Sequence, residues 1–488
     1  MKRLWTMCLI SCLPVILAEG HTFASKPNIL FILLDDLGKE WINCYGGEGI
    51  ETPHIDALAE GGMLFHNAYS MPQCTPSRVA FLTGQYPYRN GWVNHWDVPR
   101  WGVGYFDTKQ YPSIARILQG AGYATGIAGK WQINDFREQP NVLLDNGFDD
   151  YCMWTGAESD PENPEHFEIS SKRYWDPYIH TKKGSRTYPG EFGPDVYNRF
   201  VLDFISKNQE RPFFMYYAMA LPHTPFTTTP LHLDVSDKYE KHRAMVIYVD
   251  HLIGKVMAQL EALDLTRKTL VLFTSDNGTV TSLKNHRNGR LVRGGKMKRT
   301  ENGVNAPFIA HWPGQVPAGV STEALVDFTD MLPTFADLAE VPLSPHFQFD
   351  GSSFREVLLG HTEKSPRQWI LAMGSHPGVA TDQGIECTHR FRERVLRDER
   401  YKLFIDSNQR PEKLVDLSKD PEEQNDLKEQ PEMAAVLDQL TAVAEGFPKQ
   451  DNDPFYQRIP GYPSYPNRLN ESVADPRKSQ VHKIGRSD

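Results

Sequence analysis

A continuous apolar run, Ile29 to Leu34, ends at the paired carboxylates Asp35 and Asp36. A strand with no polar alternation has both faces buried, which places it inside a sheet covered by helices on both sides. A second run, Thr269 to Phe273, repeats the pattern and leads to Asp276 and Asn277. Ahead of it, residues 242–263 carry apolar side chains at helical spacing, including Met245, Tyr248, Ile253 and Met257. This alternation of strand and helix predicts an α/β fold. Open sheets of that kind bind ligands beyond the C-terminal ends of their strands. Asp35, Asp36, Asp276 and Asn277 would therefore gather at one edge. Three carboxylates and an amide oxygen suit a hard cation, calcium or magnesium, better than zinc.

Cys74 opens the run Cys74, Thr75, Pro76, Ser77, Arg78, which continues as VAFLTGQYPYRNG to Gly91. Four fixed positions of this kind match by chance in roughly one such chain in a thousand. The run resembles the signature of type I sulfatases, members of the alkaline phosphatase superfamily. In that family the cysteine is oxidised after synthesis to formylglycine, an aldehyde whose hydrate supplies a hydroxyl nucleophile for sulfate esters. The resemblance implies that Cys74 is converted by a formylglycine-generating maturation enzyme, with Pro76 and Arg78 in the modification core. It also implies one calcium ion held by Asp35, Asp36, Asp276, Asn277 and the modified Cys74, with calcium favoured over magnesium.

Other segments follow in the family's order, from Pro27 to about Leu427. Lys130 in GYATGIAGKW matches the lysine that touches both formylglycine and sulfate, and Lys296 in RGGKMKR matches the second sulfate-contacting lysine. His223 stands in the H-x-P context of the histidine that protonates the leaving oxygen. In the implied cycle a diol oxygen attacks sulfur, the alcohol leaves with a proton from His223, and the remaining hydroxyl expels sulfate to restore the aldehyde. Lys130, Lys296 and the cation would neutralise the ester's charge, while Arg78 orders the nucleophile. Two departures stand out. Gln132 occupies a position where many members carry histidine, and glutamine cannot accept a proton near neutral pH. The segment ENGVNAP differs from the family's usual E-G-G-x-R-x-P at Asn302 and Asn305, leaving open whether the missing arginine affects packing or sulfate-side charge.

The implied fold is an alkaline phosphatase-like sandwich: a large mixed β-sheet flanked by helices, with a smaller C-terminal α+β lobe. A chain of 488 residues has room for both. Residues 1–24 read as an export signal, with Lys2 and Arg3 before an apolar run and then Ala18, Gly20 and Ala24. Residues 25–360 form the expected catalytic domain, 361–466 the smaller subdomain and 467–488 a polar tail. No transmembrane segment is expected, and the location would be periplasmic or extracellular, or lysosomal in a eukaryote. Of six cysteines, Cys8 and Cys12 would leave with the signal. Conversion of Cys74 leaves Cys44, Cys152 and Cys387, enough for at most one intramolecular disulfide.

Net charge of −10 argues against a nucleic-acid partner. Against that background, Lys284, Arg287, Arg290, Arg293, Lys296, Lys298 and Arg299 form a run without an acidic residue. Such a cluster could draw in a sulfated saccharide, with Tyr174, Trp175, Tyr178 and His180 stacking on sugar faces. Three other readings compete: a phosphodiesterase or phosphonate monoester hydrolase of the same superfamily, a simple arylsulfatase, and a non-catalytic saccharide-binding protein if Cys74 stays a thiol.

Overall fold

The structure is a computed structural model describing residues 26–93, 106–134, 136, 139–159, 167–169, 172–374, 378–381, 384–387 and 390–452. The expected export signal, the polar tail and the side chain of Cys387 lie outside the described residues.

One mixed sheet of ten strands organises the chain. Its middle is a block of parallel strands in the spatial order Thr269–Ser275, Asn28–Leu34, Phe213–Ala218, Ala124–Lys130 and Asp150–Trp154. Beside it, Asn305–His311 runs antiparallel and is followed by Met63–Tyr69 and Val320–Asp327. At the other edge, Tyr178–Thr181 and Gly184–Thr187 form a hairpin.

The apolar run of Asn28–Leu34 divides between the two faces. Ile29, Phe31 and Leu33 enter a core that includes Phe81 from the helix Cys74–Thr83 and Phe335 from the helix Met331–Leu338. Phe31 stacks on Phe81 with ring centroids 4.1 Å apart. Leu30, Ile32 and Leu34 enter the opposite core with Met245, Val249 and Leu252 of the helix Lys238–Ala262. Each side chain buried in this way contributes about 2 kcal/mol of hydrophobic stabilisation. The two-sided burial explains why the strand carries no polar residue between Asn28 and Asp35.

A four-stranded antiparallel sheet follows, formed by Ile370–Met373, Arg394–Arg397, Tyr401–Ile405 and Pro411–Asp416. Leu440 of the helix Ala434–Glu445 is buried against it. Tyr69, Tyr86, Tyr88 and Leu325 of the large-sheet region share this core, so the two sheets are packed together without an intervening gap. An ionic seam reinforces the join: Glu301 contacts Arg397 NH1 and Lys402 Nζ, each at 2.9 Å. Lys402 Nζ also lies 2.7 Å from Glu423, and Arg299 NH2 lies 2.8 Å from Glu393 and 3.0 Å from Glu412. Among the described residues, no helix is long and apolar enough to cross a membrane.

Candidate active site

Four of the parallel strands end at one edge, and each delivers a polar residue there. Asp35 and Asp36 follow Asn28–Leu34, while Asp276 and Asn277 follow its neighbour Thr269–Ser275, with Leu34 paired to Ser275 at the last register position. The backbone N–H of Asp276 donates to Leu34 O at 3.0 Å, and that of Asp35 donates to Leu221 O at 3.0 Å. These bonds fix the strand ends relative to the loop bearing His223. Lys130 is the last residue of Ala124–Lys130. It follows Gly129, whose φ of 105° and close approach, 1.9 Å from an added Cβ to Ala218 O, require a residue without a side chain. Asp36 itself has φ 67°, an uncommon conformation for a residue other than glycine and one that recurs at functional sites.

Cys74 is the first residue of the helix Cys74–Thr83, every residue of which is buried. One turn on, Arg78 meets Asp276 Oδ2 through Nε at 3.1 Å and NH2 at 2.7 Å, and NH1 donates to Lys130 O at 2.8 Å. Ser77 Oγ donates to the Asp276 carbonyl and accepts from Met71 N at 3.0 Å. The helix that presents Cys74 is thus pinned to the strand end that presents Asp276. Thr75 Oγ1 donates to the Gln132 carbonyl at 2.9 Å, which brings Gln132 beside the start of the same helix.

Ligand atoms of Asp35, Asp36 and Cys74 lie within 4.8 Å of one another. Lys130 Nζ donates to both oxygens of Asp35, at 2.9 and 2.7 Å, and Lys296 Nζ donates to Asp36 Oδ2 at 2.7 Å. Asn277 Nδ2 donates to Asp36 Oδ1 at 2.8 Å, and Asp36 N donates to Asp276 Oδ1 at 3.1 Å. His223 Nε2 lies 3.2 Å from Lys296 Nζ and 3.5 Å from Asp36 Oδ2. Its Nδ1 lies 2.6 Å from Thr224 O, so the fitting neutral tautomer carries its proton on Nδ1 and accepts at Nε2. All nine residues expected at the site, Asp35, Asp36, Cys74, Arg78, Lys130, His223, Asp276, Asn277 and Lys296, are brought together.

The electrostatics are uneven. Burial would raise Asp35, but His223, Lys130, Arg78 and Lys296 hold it far below the usual carboxylate range. Burial likewise opposes Lys296 and His223 at Asp36, and the two cationic partners win, lowering it. Asp276 goes the other way: burial and the adjacent Asp35 push it up to about 7 despite Arg78. Burial pushes His223 down to about 3, the two aspartates only partly offsetting it. Three carboxylates thus face three fixed cations, Arg78, Lys130 and Lys296, and Asp276 is the one whose burial and like-charged neighbour are not offset.

The sulfatase family model matches residues 27–341, more than half of the chain. The chain belongs to the sulfatase family. It is a sulfuric ester hydrolase. A second model, N-sulphoglucosamine sulphohydrolase, C-terminal, matches residues 296–448 of this sulfatase. Arylsulfatase A of Homo sapiens is 34% identical over 379 residues, covering 74% of this chain and 73% of the relative. N-acetylgalactosamine-6-sulfatase of Canis lupus familiaris is 33% identical over 380 residues, covering 73% and 70% respectively. The crystal structure of Ps i-CgsB in complex with k-i-k-neocarrahexaose has a TM-score of 0.73 and 26% identity, covering 89% of this chain and 95% of that one.

Sequence reasoning overlooked Arg173. Its NH1 lies 3.3 Å from His223 Nδ1 and its guanidinium lies 4.0 Å from the centre of the Trp154 ring. Several expected substrate contacts in this sulfatase are committed to the fold instead. Tyr174 is buried, and its hydroxyl donates to Ala220 O at 2.8 Å and to His223 O, buttressing the histidine loop. His180 is stacked on Phe136 and Tyr151. Arg287 is half-buried and donates to Tyr45 O at 2.9 Å, and Arg299 belongs to the ionic seam. Trp175 and Tyr178 remain partly exposed, and Lys284, Arg290, Arg293 and Lys298 are exposed. Asn305 answers the question of the missing arginine: its Oδ1 accepts from Lys39 Nζ at 2.7 Å and its Nδ2 donates to Glu301 at 2.8 Å. The position packs a buried lysine against the seam.

Proposed function

We propose that this sulfatase hydrolyses sulfate monoesters of a saccharide through a formylglycine formed at Cys74 and a calcium ion held by Asp35, Asp36, Asp276, Asn277 and the modified residue. The observation that carries the reading is the placement of Cys74 at a helix N-terminus, within 4.8 Å of Asp35 and Asp36.

The residues fit both groups. Asn277 Oδ1 is buried without a hydrogen-bond partner, and Asp276 is pushed up to about 7 by burial and Asp35. A hard cation would satisfy the amide oxygen, keep all three carboxylates ionised and polarise sulfate oxygens. Converted Cys74 would supply a hydrated aldehyde hydroxyl as the nucleophile.

The remaining work falls to this chain's own side chains. Lys130 and Lys296, anchored on Asp35 and Asp36, face the charge of the ester from fixed positions. Arg78 holds Asp276 and the Lys130 carbonyl, keeping the nucleophile's helix in register with the strand ends. His223 serves the leaving alcohol from Nε2, which requires the imidazolium form. An anionic ester entering beside it adds the negative charge that raises its pKa. Gln132, tied by its backbone to Thr75, positions rather than accepts a proton.

Three features support a saccharide as the alcohol. Relatives include N-acetylgalactosamine-6-sulfatase, and a similar structure holds a neocarrahexaose. Exposed Lys284, Arg290, Arg293 and Lys298 offer positive charge to a polyanion. A groove of about 760 Å³, away from the residues around Cys74, has partly exposed Trp175 and His251 in its lining and offers ring faces there. Export from the cytoplasm accords with the basic and apolar start of the sequence.

The test begins with peptide mass spectrometry of native protein. The peptide spanning Cys74 should carry formylglycine, and exhaustive chelation should abolish turnover that calcium restores. Active enzyme with only unmodified thiol, or full activity after chelation, would refute the mechanism. Preference for an aryl phosphodiester over sulfated sugars would refute the substrate.

A further inference from the structure

We infer that Arg173 is the receptor for a second anionic substituent, a further sulfate or a carboxylate, on the sugar whose sulfate is removed. This rests on the sulfatase reading above and narrows its substrate to a doubly charged saccharide.

The argument begins with an unbalanced charge. Arg173 is 9% exposed, yet among the described residues no carboxylate pairs with it. Its contacts are the Trp154 ring at 4.0 Å, the Tyr174 ring at 5.9 Å and His223 Nδ1 at 3.3 Å. None of these supplies a full negative charge. The contact with His223 is also a poor hydrogen bond, because Nδ1 already faces the Thr224 carbonyl at 2.6 Å and carries the proton that carbonyl accepts. A guanidinium has five N–H donors in a fixed fork that matches sulfate or carboxylate two bonds at a time. Here the guanidinium is mostly buried and no carboxylate of the described residues neutralises it, an arrangement that an arriving anion would complete.

Other guanidiniums in this protein show the contrast. Arg78 is held by Asp276 at 2.7 Å and Arg394 by Asp451 at 2.6 Å, both fully buried pairs. Arg173 alone of these three lacks such an anchor, and it is the one beside the leaving-group histidine.

Position then selects the ligand. His223 Nε2 faces Lys296 and Asp36, the side where the scissile sulfate binds, and Arg173 meets the opposite nitrogen. The guanidinium thus lies across the imidazole ring from Lys296 and Asp36, away from the lysines that face the scissile sulfate. Stacking on Trp154 fixes its plane and limits the rotamer freedom lost on binding. A substituent on the same or an adjoining sugar ring can reach it, whereas the sulfate under attack is held by the two lysines.

Three substrates test this with mature enzyme whose Cys74 modification has been verified. They are one monosulfated sugar, the same sugar with a second sulfate, and the same sulfated sugar linked to a uronate. Wild-type kcat/KM should favour at least one doubly charged substrate by about tenfold or more, and the preferred one tells sulfate from carboxylate. Arg173→Gln should bring that ratio to about one, mainly through KM, while Arg173→Lys should retain part of it. Melting temperatures confirm that both variants are folded. Equal losses on all substrates would show that Arg173 acts only through His223 and would overturn the proposal, as would a wild-type ratio near one. A wild-type enzyme that cleaves none of the sulfate esters would bring down the sulfatase reading itself, and this proposal with it.

Discussion

Among the buried clusters of acids and bases in the described residues, two follow opposite charge logic. At the strand ends, Asp35, Asp36 and Asp276 crowd together, and burial with the neighbouring Asp35 pushes Asp276 up to about 7. In the seam between the sheets, Glu301 meets both Lys402 and Arg397, which outweigh its burial and hold it well below the ordinary carboxylate range. The seam is a settled ion network whose members prefer the fold. The strand-end cluster holds like charges together at a cost, which is the arrangement expected where a cation and an anionic substrate complete the set. The same residue types therefore act as glue in one place and as chemistry in the other.

Asp276→Asn should break this comparison most visibly. Ionising a carboxyl raised to about 7 costs the fold stability at neutral pH, a cost an isosteric amide removes, while the loss of Arg78's buried 2.7 Å partner acts in the opposite direction. The two offset, so melting of chelator-treated protein should change little. Turnover should fall by more than about 10³-fold, because the amide removes charge from the proposed cation site. Kinetics and thermal melting on one preparation check both halves. A large stability loss with activity retained would make Asp276 part of the scaffold.

His223→Ala sharpens the contrast inside the site itself. We expect about a 10²-fold loss on alkyl or sugar sulfates and a much smaller loss on aryl sulfates with acidic phenols. The better leaving groups need no proton, so the ratio of the two losses reports the role. Equal losses on both substrate types would exclude proton donation and leave His223 as a support for Lys296.

The strand-end cluster was legible in the sequence because its determinants are local. An apolar run followed at once by acidic residues names both the buried strand and the carboxylates gathered at its end, as with Asp35, Asp36 and Asp276. Arg173 was not legible, since its meaning depends on Trp154 and on His223, 50 residues further along. Lys39 and Glu40 carry no local signal of burial, yet both are buried, with Lys39 Nζ held by His66 O at 2.8 Å and Asn305 at 2.7 Å. The basic run 284–299 shows the same limit. Its seven cations look alike in sequence, but packing assigns Lys296 to the site, Arg299 to the seam and Arg287 to Tyr45. Charge pattern announces a cationic segment, and only tertiary contacts divide its work.

Glu301→Gln is the counterpart with the smallest effect on catalysis. Glu301 accepts from Arg397 and Lys402 at 2.9 Å and from Asn305 Nδ2 at 2.8 Å, and it touches none of the residues around Cys74 named above. Neutralising it leaves Lys402, itself fully buried, with Glu423 as its remaining carboxylate at 2.7 Å. Removing one partner from a buried ion network costs about 3 kcal/mol, so the variant should melt earlier while kcat/KM of the folded enzyme stays within about twofold. The pH dependence gives a second readout. In the unfolded chain this carboxyl takes up a proton near its ordinary value of 4.5, whereas in the fold Lys402 and Arg397 keep it ionised to lower pH. Its stabilisation is therefore complete well above pH 4.5 and is lost as pH falls through and below that value. The wild-type stability curve should drop on its acid side, and Glu301→Gln should flatten that drop while lowering the neutral plateau. If the variant kept its plateau and lost activity instead, the seam would belong to the chemistry and the division between the two clusters would fail.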